Sequence, residues 1–518
     1  MSGPTELVSV DGIDPPAPPR RFNIAAHVLA AAPRRPDKTA LLVLKGPGRH
    51  ADAVSYAALD RRIRATAEGL RAAGLRPGDR VALKIANSIA FPLLFFGTIA
   101  AGGIAVPIGA QLTERETLAL LHRVEPRFFA WSDGLAVTLP DTILPLPPGL
   151  AAEMERASPG PIADTAANDP AFLIFTSGTS GQPRGVLHAQ RSAWARRMMW
   201  RDWYGLTEAD RLMHAGAFNW TYTLGTGLTD PWAAGATALI YTGPADPLIW
   251  PTLARAEAPT IFAAVPGVYR QMLRARDDLA DAFAALRHGL TAGERLQPAL
   301  AEAWRGRTGK ALHEALGMSE VSTFISSSPG RPAPPGTAGY AQTGRRIAIL
   351  AEDGVAPVAR GVAGRLAVDR RDPGLMLGYW REPAADEATR AGPWFLTGDR
   401  AVMAEDGAVT HLGRGDDVMN ALGYRVAPQE VEDALIHDPT IGEIAVAELP
   451  VRADLSLIAA FVVPAGDAFD EAALTATATR TLAPYKRPKV WIAVDRLPRT
   501  PNGKLKRREL IDRHRRDR

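Results

Sequence analysis

Residues 81–110 read VALKIANSIAFPLLFFGTIAAGGIAVPIGA, and the order of apolar runs in this stretch decides the fold class. From residue 89 onward the stretch carries no charge, and that part is long enough to span a bilayer. However, Gly102 and Gly103 divide it, Pro107 lies beyond them, and the strand-like run VALKI comes just before. The stretch therefore predicts a strand, a buried helix, a Gly-Gly turn and a second buried strand, which is one βαβ unit of a parallel sheet. A membrane span is the alternative.

The alternation of strand-like and helix-like segments continues over about residues 38–325 and predicts a layered α/β architecture. Residues 239–243, 260–266 and 286–294 each read as a strand that runs into a loop, the position at which open α/β sheets hold ligands. A connector rich in proline and glycine, residues 326–339, leads to shorter strands that indicate a β subdomain.

The last hundred or so residues have a different pattern and predict a compact α+β unit. The helix-like runs APQEVEDALIH and DEAALTATATRTL flank the strand-like runs EIAVAEL and SLIAAFVV. We therefore expect a large N-terminal domain over residues 1–414, built of layered α/β subdomains plus a β subdomain, and a small α+β C-terminal domain over residues 415–518.

The composition excludes several classes of function. A chain of 518 residues is too long for one core. Its net charge of +4 comes from 60 basic and 56 acidic residues spread through the chain, which gives no electrostatic footprint for nucleic acid. The absence of cysteine excludes disulfides, thiolate catalysis and cysteine-ligated zinc. Because the N-terminus also has no apolar core of signal-peptide type, we expect a cytoplasmic protein without a membrane span, and a homodimer remains open.

A polar loop, TSGTSGQPRGV over residues 176–186, follows the apolar run AFLIF. Its glycines let the backbone approach an anion, and its hydroxyl groups and one arginine add donors and a fixed positive charge. Neither G-x-x-x-x-G-K-[ST] nor G-x-G-x-x-G fits the loop, and a mobile surface turn is the alternative. The candidate phosphate ligands are Thr176, Ser177, Gly178, Thr179, Ser180, Gly181 and Arg184.

Further motifs follow this loop in a fixed order. They are LTAGE (290–294), LHEALGMSE (312–320), FLTGD (395–399), GRGDDVMNALGYR (413–425) and PRTPNGKLKRREL (498–510). The ordered set resembles the adenylate-forming superfamily of acyl-CoA synthetases, stand-alone adenylation domains and luciferases, over about Phe22 to Leu510. Members of this family activate a carboxylate with ATP as an acyl-adenylate and pass the acyl group to an acceptor.

The resemblance implies a role for each motif. Lys504 would be the adenylation lysine on a small, mobile C-terminal domain, Glu320 would hold Mg²⁺, and Ser319 and Arg184 would act beside the phosphates. Asp416 would be the hinge between the domains. The other implied nucleotide and CoA contacts are Gly293, Glu294, Glu314, Ala315, Leu316, Asp399, Arg414, Gly423 and Arg425.

Three departures from the family pattern stand out: Arg184 replaces the usual lysine, Leu316 an aromatic, and Ser319 a threonine. An aliphatic residue at the second position resembles benzoate-type CoA ligases. Each motif taken alone also has an ordinary structural interpretation. Asp399 could be a turn residue, GMSE a capped helix N-terminus, and Lys504 part of an exposed hairpin.

The resemblance therefore implies an ATP-dependent acid:CoA ligase that uses ATP, Mg²⁺ and CoA. Since the chain has no cysteine, the thiol that accepts the acyl group must come from outside. The alternatives are an adenylation enzyme that loads a separate carrier protein, and a non-enzymatic nucleotide sensor. The family positions place an aromatic, alicyclic or medium or branched-chain acid among Phe218, Asn219, Trp220, Tyr222, Gly317 and Thr323.

Overall fold

A computed structural model describes residues 8–176, 183–244, 246, 248–415, 419–421, 424–426, 428–452, 455–466, 469–482, 486–500 and 505–516. The chain divides into two compact units. The large unit comprises the described residues of Asp11–Arg346 and Asp369–Pro393. The small unit comprises the described residues of Met1–Val10, Ile347–Val368 and Trp394–Arg518.

The β-strands, numbered in chain order, are β1 (Val10–Gly12), β2 (Thr39–Gly46), β3 (Arg49–Ser55), β4 (Arg80–Lys84), β5 (Ile104–Pro107), β6 (Phe128–Trp131), β7 (Leu144–Leu146), β8 (Pro170–Thr176), β9 (Arg184–Ala189), β10 (Arg211–His214), β11 (Thr237–Tyr241), β12 (Ile261–Ala263), β13 (His288–Ala292), β14 (Leu312–Met318), β15 (Ser322–Ser326), β16 (Tyr340–Ala341), β17 (Arg346–Leu350), β18 (Gly364–Asp369), β19 (Gly378–Tyr379), β20 (Arg390–Ala391), β21 (Trp394–Met403), β22 (Val409–Arg414), β23 (Met419–Ala421), β24 (Tyr424–Val426), β25 (Ile441–Arg452), β26 (Leu455–Pro464) and β27 (Val490–Ala493).

The α-helices are α1 (Ile24–Val28), α2 (Tyr56–Ala72), α3 (Ala90–Ala100), α4 (Glu114–Val124), α5 (Pro148–Met154), α6 (Arg191–Ala195), α7 (Thr221–Leu224), α8 (Asp230–Ala234), α9 (Ile249–Glu257), α10 (Pro266–Ala275), α11 (Leu279–Ala282), α12 (Pro298–Thr308), α13 (Pro383–Ala388), α14 (Pro428–Leu435), α15 (Glu471–Thr481) and α16 (Arg507–Arg516). Two π-helical turns, Trp200–Tyr204 and Gly225–Thr229, lie in the large unit. Among the described residues, none of these helices combines the length and the apolar character needed to cross a bilayer.

The apolar stretch at residues 81–110 forms the predicted βαβ unit. Strands β4 and β5 pair in parallel, with Val81 opposite Ala105 and Ala82 opposite Val106, and α3 connects them. The side chains of α3 are buried almost without interruption, among them Phe91, Phe95 and Phe96. Burying one such ring stabilises the fold by about 1.5–3 kcal/mol, which explains why this helix carries no charge.

Two sheets organise the large unit, and both confirm the predicted α/β class. Within the described residues one sheet has the order β19-β9-β8-β5-β4-β6-β7 and the other β16-β15-β14-β13-β12-β10-β11-β2-β3. The central strands of the second sheet, from β13 through β12 and β10 to β11 and β2, pair in parallel. The loops predicted to hold ligands therefore follow strands that run in one direction, at one edge of the sheet.

The small unit contains the predicted short strands and the α+β pattern of the C-terminal residues. Strands β17 and β18 pair antiparallel, as do β21 and β22. Farther along the chain, β26 pairs antiparallel with β25 and parallel with β27, and a core cluster that includes Val431, Val446 and Leu474 packs α14 and α15 against this sheet. Packing thus groups β17, β18, β21 and β22 with the C-terminal residues, and the domain limits 1–414 and 415–518 stay a prediction.

Candidate active site

The motif GMSE forms a hairpin turn between β14 and β15, not the start of a helix. Met318 pairs with Ser322, so Ser319, Glu320 and Val321 make the turn. The backbone is tight here, because Ser322 has a φ of 79° and a β-bulge lies between Leu316 and Gly317. A Cβ atom on Gly317 would lie 2.5 Å from the carbonyl oxygen of Ser322, so glycine is required at that position.

Two hydrogen bonds hold Glu320 in place. Its backbone carbonyl accepts from the Met376 N–H at 2.7 Å, and its Oε1 accepts from the Tyr379 hydroxyl at 2.8 Å. The carboxylate is 9% exposed, and among the described residues no hydrogen bond or ion pair engages Oε2. A buried carboxylate with one oxygen fixed and the other available suits Mg²⁺, which prefers oxygen ligands.

Tyr379 connects Arg184 to this carboxylate, because its ring lies beside Arg184 and its hydroxyl donates to Glu320. Strand β19 pairs with β9 so that Tyr379 stands opposite Val186, two residues after Arg184. The guanidinium carbon of Arg184 lies 5.5 Å from the centre of the Tyr379 ring, and its Nε lies 3.7 Å from Oε2 of Glu382. The structure thus connects the end of the polar loop to the Glu320 turn by an arginine, an aromatic ring and a hydroxyl.

The polar loop itself joins two antiparallel strands. Thr176 at the end of β8 pairs with Arg184 at the start of β9, and the Thr176 hydroxyl donates to the Arg184 carbonyl at 3.5 Å. The predicted ligands Ser177, Gly178, Thr179, Ser180 and Gly181 lie outside the described residues.

Tyr379 and Glu382 are site residues that the sequence reasoning missed. Tyr379 is 59 positions from Glu320 and Glu382 is far from Arg184 along the chain, so no local spacing connects either pair. No signal in the sequence identifies Tyr379, because its position depends on the pairing of β19 with β9.

The motifs LTAGE and LHEAL lie side by side because β13 and β14 pair in parallel. Thr291 stands opposite Glu314, and Ala292 stands opposite Ala315. Glu314 is buried, and burial raises the pKa of its carboxyl to about 8, although a backbone N–H of Leu296 and the charge of Arg295 act against this shift. Glu314 is therefore a hydrogen-bonding group of low charge at neutral pH.

The end of β13 approaches Trp220 closely. Gly293 has a φ of 89°, and a Cβ atom there would lie 2.9 Å from the Trp220 ring, so the chain needs glycine at this turn. Glu294 follows it and is half-buried, and Leu316 is half-buried on β14. Of the predicted nucleotide contacts, Gly293 therefore lies against the Trp220 ring.

The residues predicted to line the acid pocket have different environments. Phe218 is packed in the core at 5.1 Å from the Phe91 ring. Trp220 meets Tyr222 edge-on at 5.1 Å, and the Tyr222 hydroxyl donates to the Leu290 carbonyl. Thr323 is buried with its hydroxyl 2.7 Å from Met199 Sδ. The Nδ2 of Asn219 would lie 3.3 Å from a Cβ atom on Gly109. These assignments to the pocket stay predictions.

A cavity of about 40 Å³ lies beside the turn. Ser319 and Ser322 line it from the turn, and α6 lines it with Ser192, Ala193 and Arg196. Apolar walls come from Ile24, Phe95, Phe172 and Leu224.

Arg196, which lines this cavity, also forms a buried hydrogen-bond network. Its Nη2 lies 2.6 Å from Asp230 Oδ2 and 3.1 Å from the Tyr204 hydroxyl, and its Nη1 donates to Ser322 Oγ at 2.5 Å. Burial alone would lower the pKa of Arg196, but the Asp230 carboxylate and the Tyr204 hydroxyl outweigh burial and raise it. A charged arginine thus anchors the residue that closes the Glu320 turn.

The small unit brings Asp399 and Arg414 together by strand register. These residues pair directly across β21 and β22, with Arg414 Nη1 3.6 Å and His411 Nε2 3.5 Å from Asp399 Oδ1. Arg425 belongs to β24 through its backbone, and its side chain is outside the description. Asp416, Gly423 and Lys504 lie outside the described residues.

Comparison with known proteins identifies the family. The model of the AMP-binding enzyme matches residues 28–380, and that of the AMP-binding enzyme C-terminal domain matches residues 430–504. The chain belongs to the AMP-binding enzyme family. It is 31% identical to benzoate–CoA ligase of Thauera aromatica, covering 89% of this chain and 91% of that protein. It is also 31% identical to human mitochondrial acyl-coenzyme A synthetase ACSM5, over 95% of this chain and 90% of that protein.

A solved structure agrees with this assignment. The anthranilate CoA ligase AuaEII in complex with anthranoyl-AMP superposes with a TM-score of 0.86 at 27% identity, covering 96% of this chain and 98% of that chain. The predicted adenylate-forming fold is therefore confirmed for this AMP-binding enzyme. The predicted class, an AMP-forming acid:CoA ligase that uses ATP, Mg²⁺ and CoA, is confirmed as well.

Proposed function

We propose that this AMP-binding enzyme activates an aromatic, alicyclic or medium or branched-chain carboxylic acid at the Glu320 turn and transfers the acyl group to CoA. The observation that carries the proposal is the connection of Arg184, Tyr379 and Glu320, which joins the end of the polar loop to a buried carboxylate. The names of its relatives, a benzoate–CoA ligase and acyl-coenzyme A synthetases among them, support a carboxylic acid as the substrate.

The residues divide the work by charge. An ionised acid and the α-phosphate of ATP repel each other, so the reaction needs cations and preorganised donors where charge develops. Mg²⁺ supplies Lewis-acid stabilisation of phosphate oxygens when it is bound. Glu320 would hold that ion through the oxygen that Tyr379 does not engage, and Arg184 and the Ser319 hydroxyl would contact phosphate.

Asp399 and Arg414 would bind the ribose, since a carboxylate accepts from both ribose hydroxyls and Arg414 Nη1 lies 3.6 Å from Asp399 Oδ1. Lys504 would bridge the acid and the α-phosphate, and Asp416 would be the hinge that exchanges this arrangement for the one that admits CoA past Gly423. The two family matches, 28–380 and 430–504, lie on either side of the proposed domain boundary at 414/415 and support it. We also propose a cytoplasmic location.

The decisive experiment measures pyrophosphate exchange with a panel of acids in the wild type and in Glu320→Gln. We expect exchange with at least one acid, and a loss of about 100- to 1000-fold in Glu320→Gln, the usual scale for one preorganised electrostatic group. Glu302→Gln is the matched control, because Glu302 is an exposed residue of α12. No exchange with any acid would favour the nucleotide sensor. Exchange without thioester formation from CoA would favour an enzyme that loads a carrier protein.

A further inference from the structure

Two arginines contact one carboxylate beside the polar loop. Oε1 of Glu382 lies 2.6 Å from Nη2 of Arg123, and Oε2 of Glu382 lies 3.7 Å from Nε of Arg184. The first distance is that of a charge-assisted hydrogen bond, and the second is too long for a hydrogen bond. Glu382 is therefore bound firmly to Arg123 and only loosely to Arg184.

Arg123 is held in this place by further contacts. It belongs to the last turn of α4, and its Nη1 donates to the carbonyl of Pro183, the residue before Arg184. Its guanidinium carbon lies 5.8 Å from the centre of the Phe175 ring in β8. Because Arg123 bonds to both Pro183 and Glu382, it connects α4 to the two segments of chain that adjoin Arg184.

The charges of these three side chains do not cancel. Two arginines and one glutamate leave one positive charge in excess at neutral pH. The side chains are about one-third exposed, at 33% for Arg123, 29% for Glu382 and 35% for Arg184, so water weakens both ion pairs. Without the charge of Arg123, Glu382 would face Arg184 alone, and a phosphate would compete with a carboxylate for that arginine.

The guanidinium group of Arg184 suits this shared arrangement. Arginine can face a carboxylate with Nε and use its Nη groups for a second anion, whereas lysine has a single ammonium group. The Tyr379 ring lies 5.5 Å from the guanidinium carbon of Arg184, and this contact does not depend on Glu382. Arg184 would therefore keep one of its partners if the charge of Glu382 were removed.

We propose that Arg123 is a positioning residue that keeps Glu382 engaged, so that Arg184 stays available for the phosphates of ATP. This inference rests on the proposed function, which assigns Arg184 to phosphate, and it adds Arg123 and Glu382 to that site. Both residues act through Arg184 and do not bind the nucleotide themselves.

The test measures, by titration calorimetry on the full chain, the Kd of ATP with Mg²⁺ and the Kd of adenosine. Arg123→Gln should raise the Kd of ATP about 5-fold, the upper end of the contribution of one partly exposed ion pair. Glu382→Gln retains the shape of the side chain and should change this Kd less than about 2-fold. The Kd of adenosine should stay the same in both variants, because adenosine has no phosphate.

The double variant Arg123→Gln/Glu382→Gln gives the decisive result. Its Kd for ATP should return to within about 2-fold of that of Glu382→Gln, because no carboxylate remains to pair with Arg184. If the double variant instead binds ATP as weakly as Arg123→Gln, the inference is wrong, because the loss then comes from the Pro183 bond and not from Glu382. An equal change in the Kd of adenosine would also overturn it.

Arg381→Gln is the matched control. Arg381 forms an ion pair with Glu125 at 2.6 Å, which joins the end of α4 to the residues after β19, as the pair of Arg123 and Glu382 does. This second pair does not include Arg184, so Arg381→Gln should leave the Kd of ATP unchanged. The same loss of affinity in Arg123→Gln and Arg381→Gln would mean that both pairs merely brace the two segments.

Arg184→Gln distinguishes a failure of this inference from a failure of the proposed function. It should raise the Kd of ATP at least as much as Arg123→Gln does. If the Kd of ATP is unchanged in Arg184→Gln, Arg184 does not contact phosphate, and its role in the proposed function is wrong together with this inference. The contrary results named for the other variants overturn this inference alone.

Discussion

Two arginine–aspartate pairs are buried in the large unit, and their polar atoms are satisfied to different degrees. Arg196 and Asp230 share their hydrogen bonds with the hydroxyls of Tyr204 and Ser322. Arg345 contacts Asp372 through one Nη1–Oδ1 bond, and among the described residues no hydrogen bond engages Nε and Nη2 of Arg345 or Oδ2 of Asp372. Both members of this second pair are fully buried.

The two pairs therefore differ in how many of their buried polar atoms form hydrogen bonds. Attraction inside a protein compensates for lost hydration only when the remaining donors and acceptors are also bonded. The first pair meets this condition and, through Ser322, reaches the turn that carries Glu320. In the second pair burial raises the pKa of Asp372, in spite of the neighbouring Arg345.

The largest expected effect comes from removing the arginine of the satisfied pair. Arg196→Met leaves the Asp230 carboxyl buried without its arginine partner and removes the bond to Ser322, so the free energy of unfolding should fall by about 3–5 kcal/mol. Urea unfolding measures this change, and Arg196→Lys is the control that retains the charge but not the planar fork. A loss below about 1 kcal/mol would mean that the network contributes little to stability.

A smaller effect is expected when both members of a pair are replaced by apolar residues. The free energy of unfolding of Arg345→Met/Asp372→Leu should stay within about 1–2 kcal/mol of the wild-type value, because replacing this pair deprives few other groups of a hydrogen bond. Arg196→Met/Asp230→Leu should be less stable than the wild type by about 1–3 kcal/mol, because the Ser322 hydroxyl loses its arginine donor while the Tyr204 hydroxyl keeps Thr226. Equal results for the two double variants, again from urea unfolding, would remove the distinction between the pairs.

The smallest expected effect concerns Glu314, whose carboxyl has a pKa raised by burial and is therefore protonated at neutral pH. The folded-state pKa is raised from 4.5 to about 8, so between these pH values the folded protein binds a proton that the unfolded chain does not, and stability falls as pH rises. Glu314→Gln removes this dependence and should gain at least about 1 kcal/mol relative to the wild type between pH 5 and pH 8. Thermal unfolding at the two pH values measures the gain. Parallel pH profiles would show that Glu314 is ionised in the folded protein.

The sequence predicts the elements that are set by local pattern. The uninterrupted apolar run of α3, bounded by Gly102 and Gly103, could only be buried on all sides, and the βαβ unit followed. Strand register then brought predicted residues together, as with Asp399 and Arg414. The family resemblance depended on the order of the motifs, because each motif taken alone had an ordinary structural interpretation.

Contacts between distant segments could not be predicted in this way. The bond from Tyr379 to Glu320 depends on the pairing of β19 with β9, which no spacing encodes. The contact of Phe218 with Phe91 is a second example, because no spacing along the chain predicts it. The assignment of Phe218 to the acid pocket stays a prediction.

The pairing of Thr176 with Arg184 has a consequence for how this enzyme could be altered. The two ends of the polar segment are held opposite each other by the ladder between β8 and β9, two strands of a sheet in the large unit. Directed evolution of nucleotide preference could therefore begin with libraries confined to residues 177–183, with the strands on either side left intact.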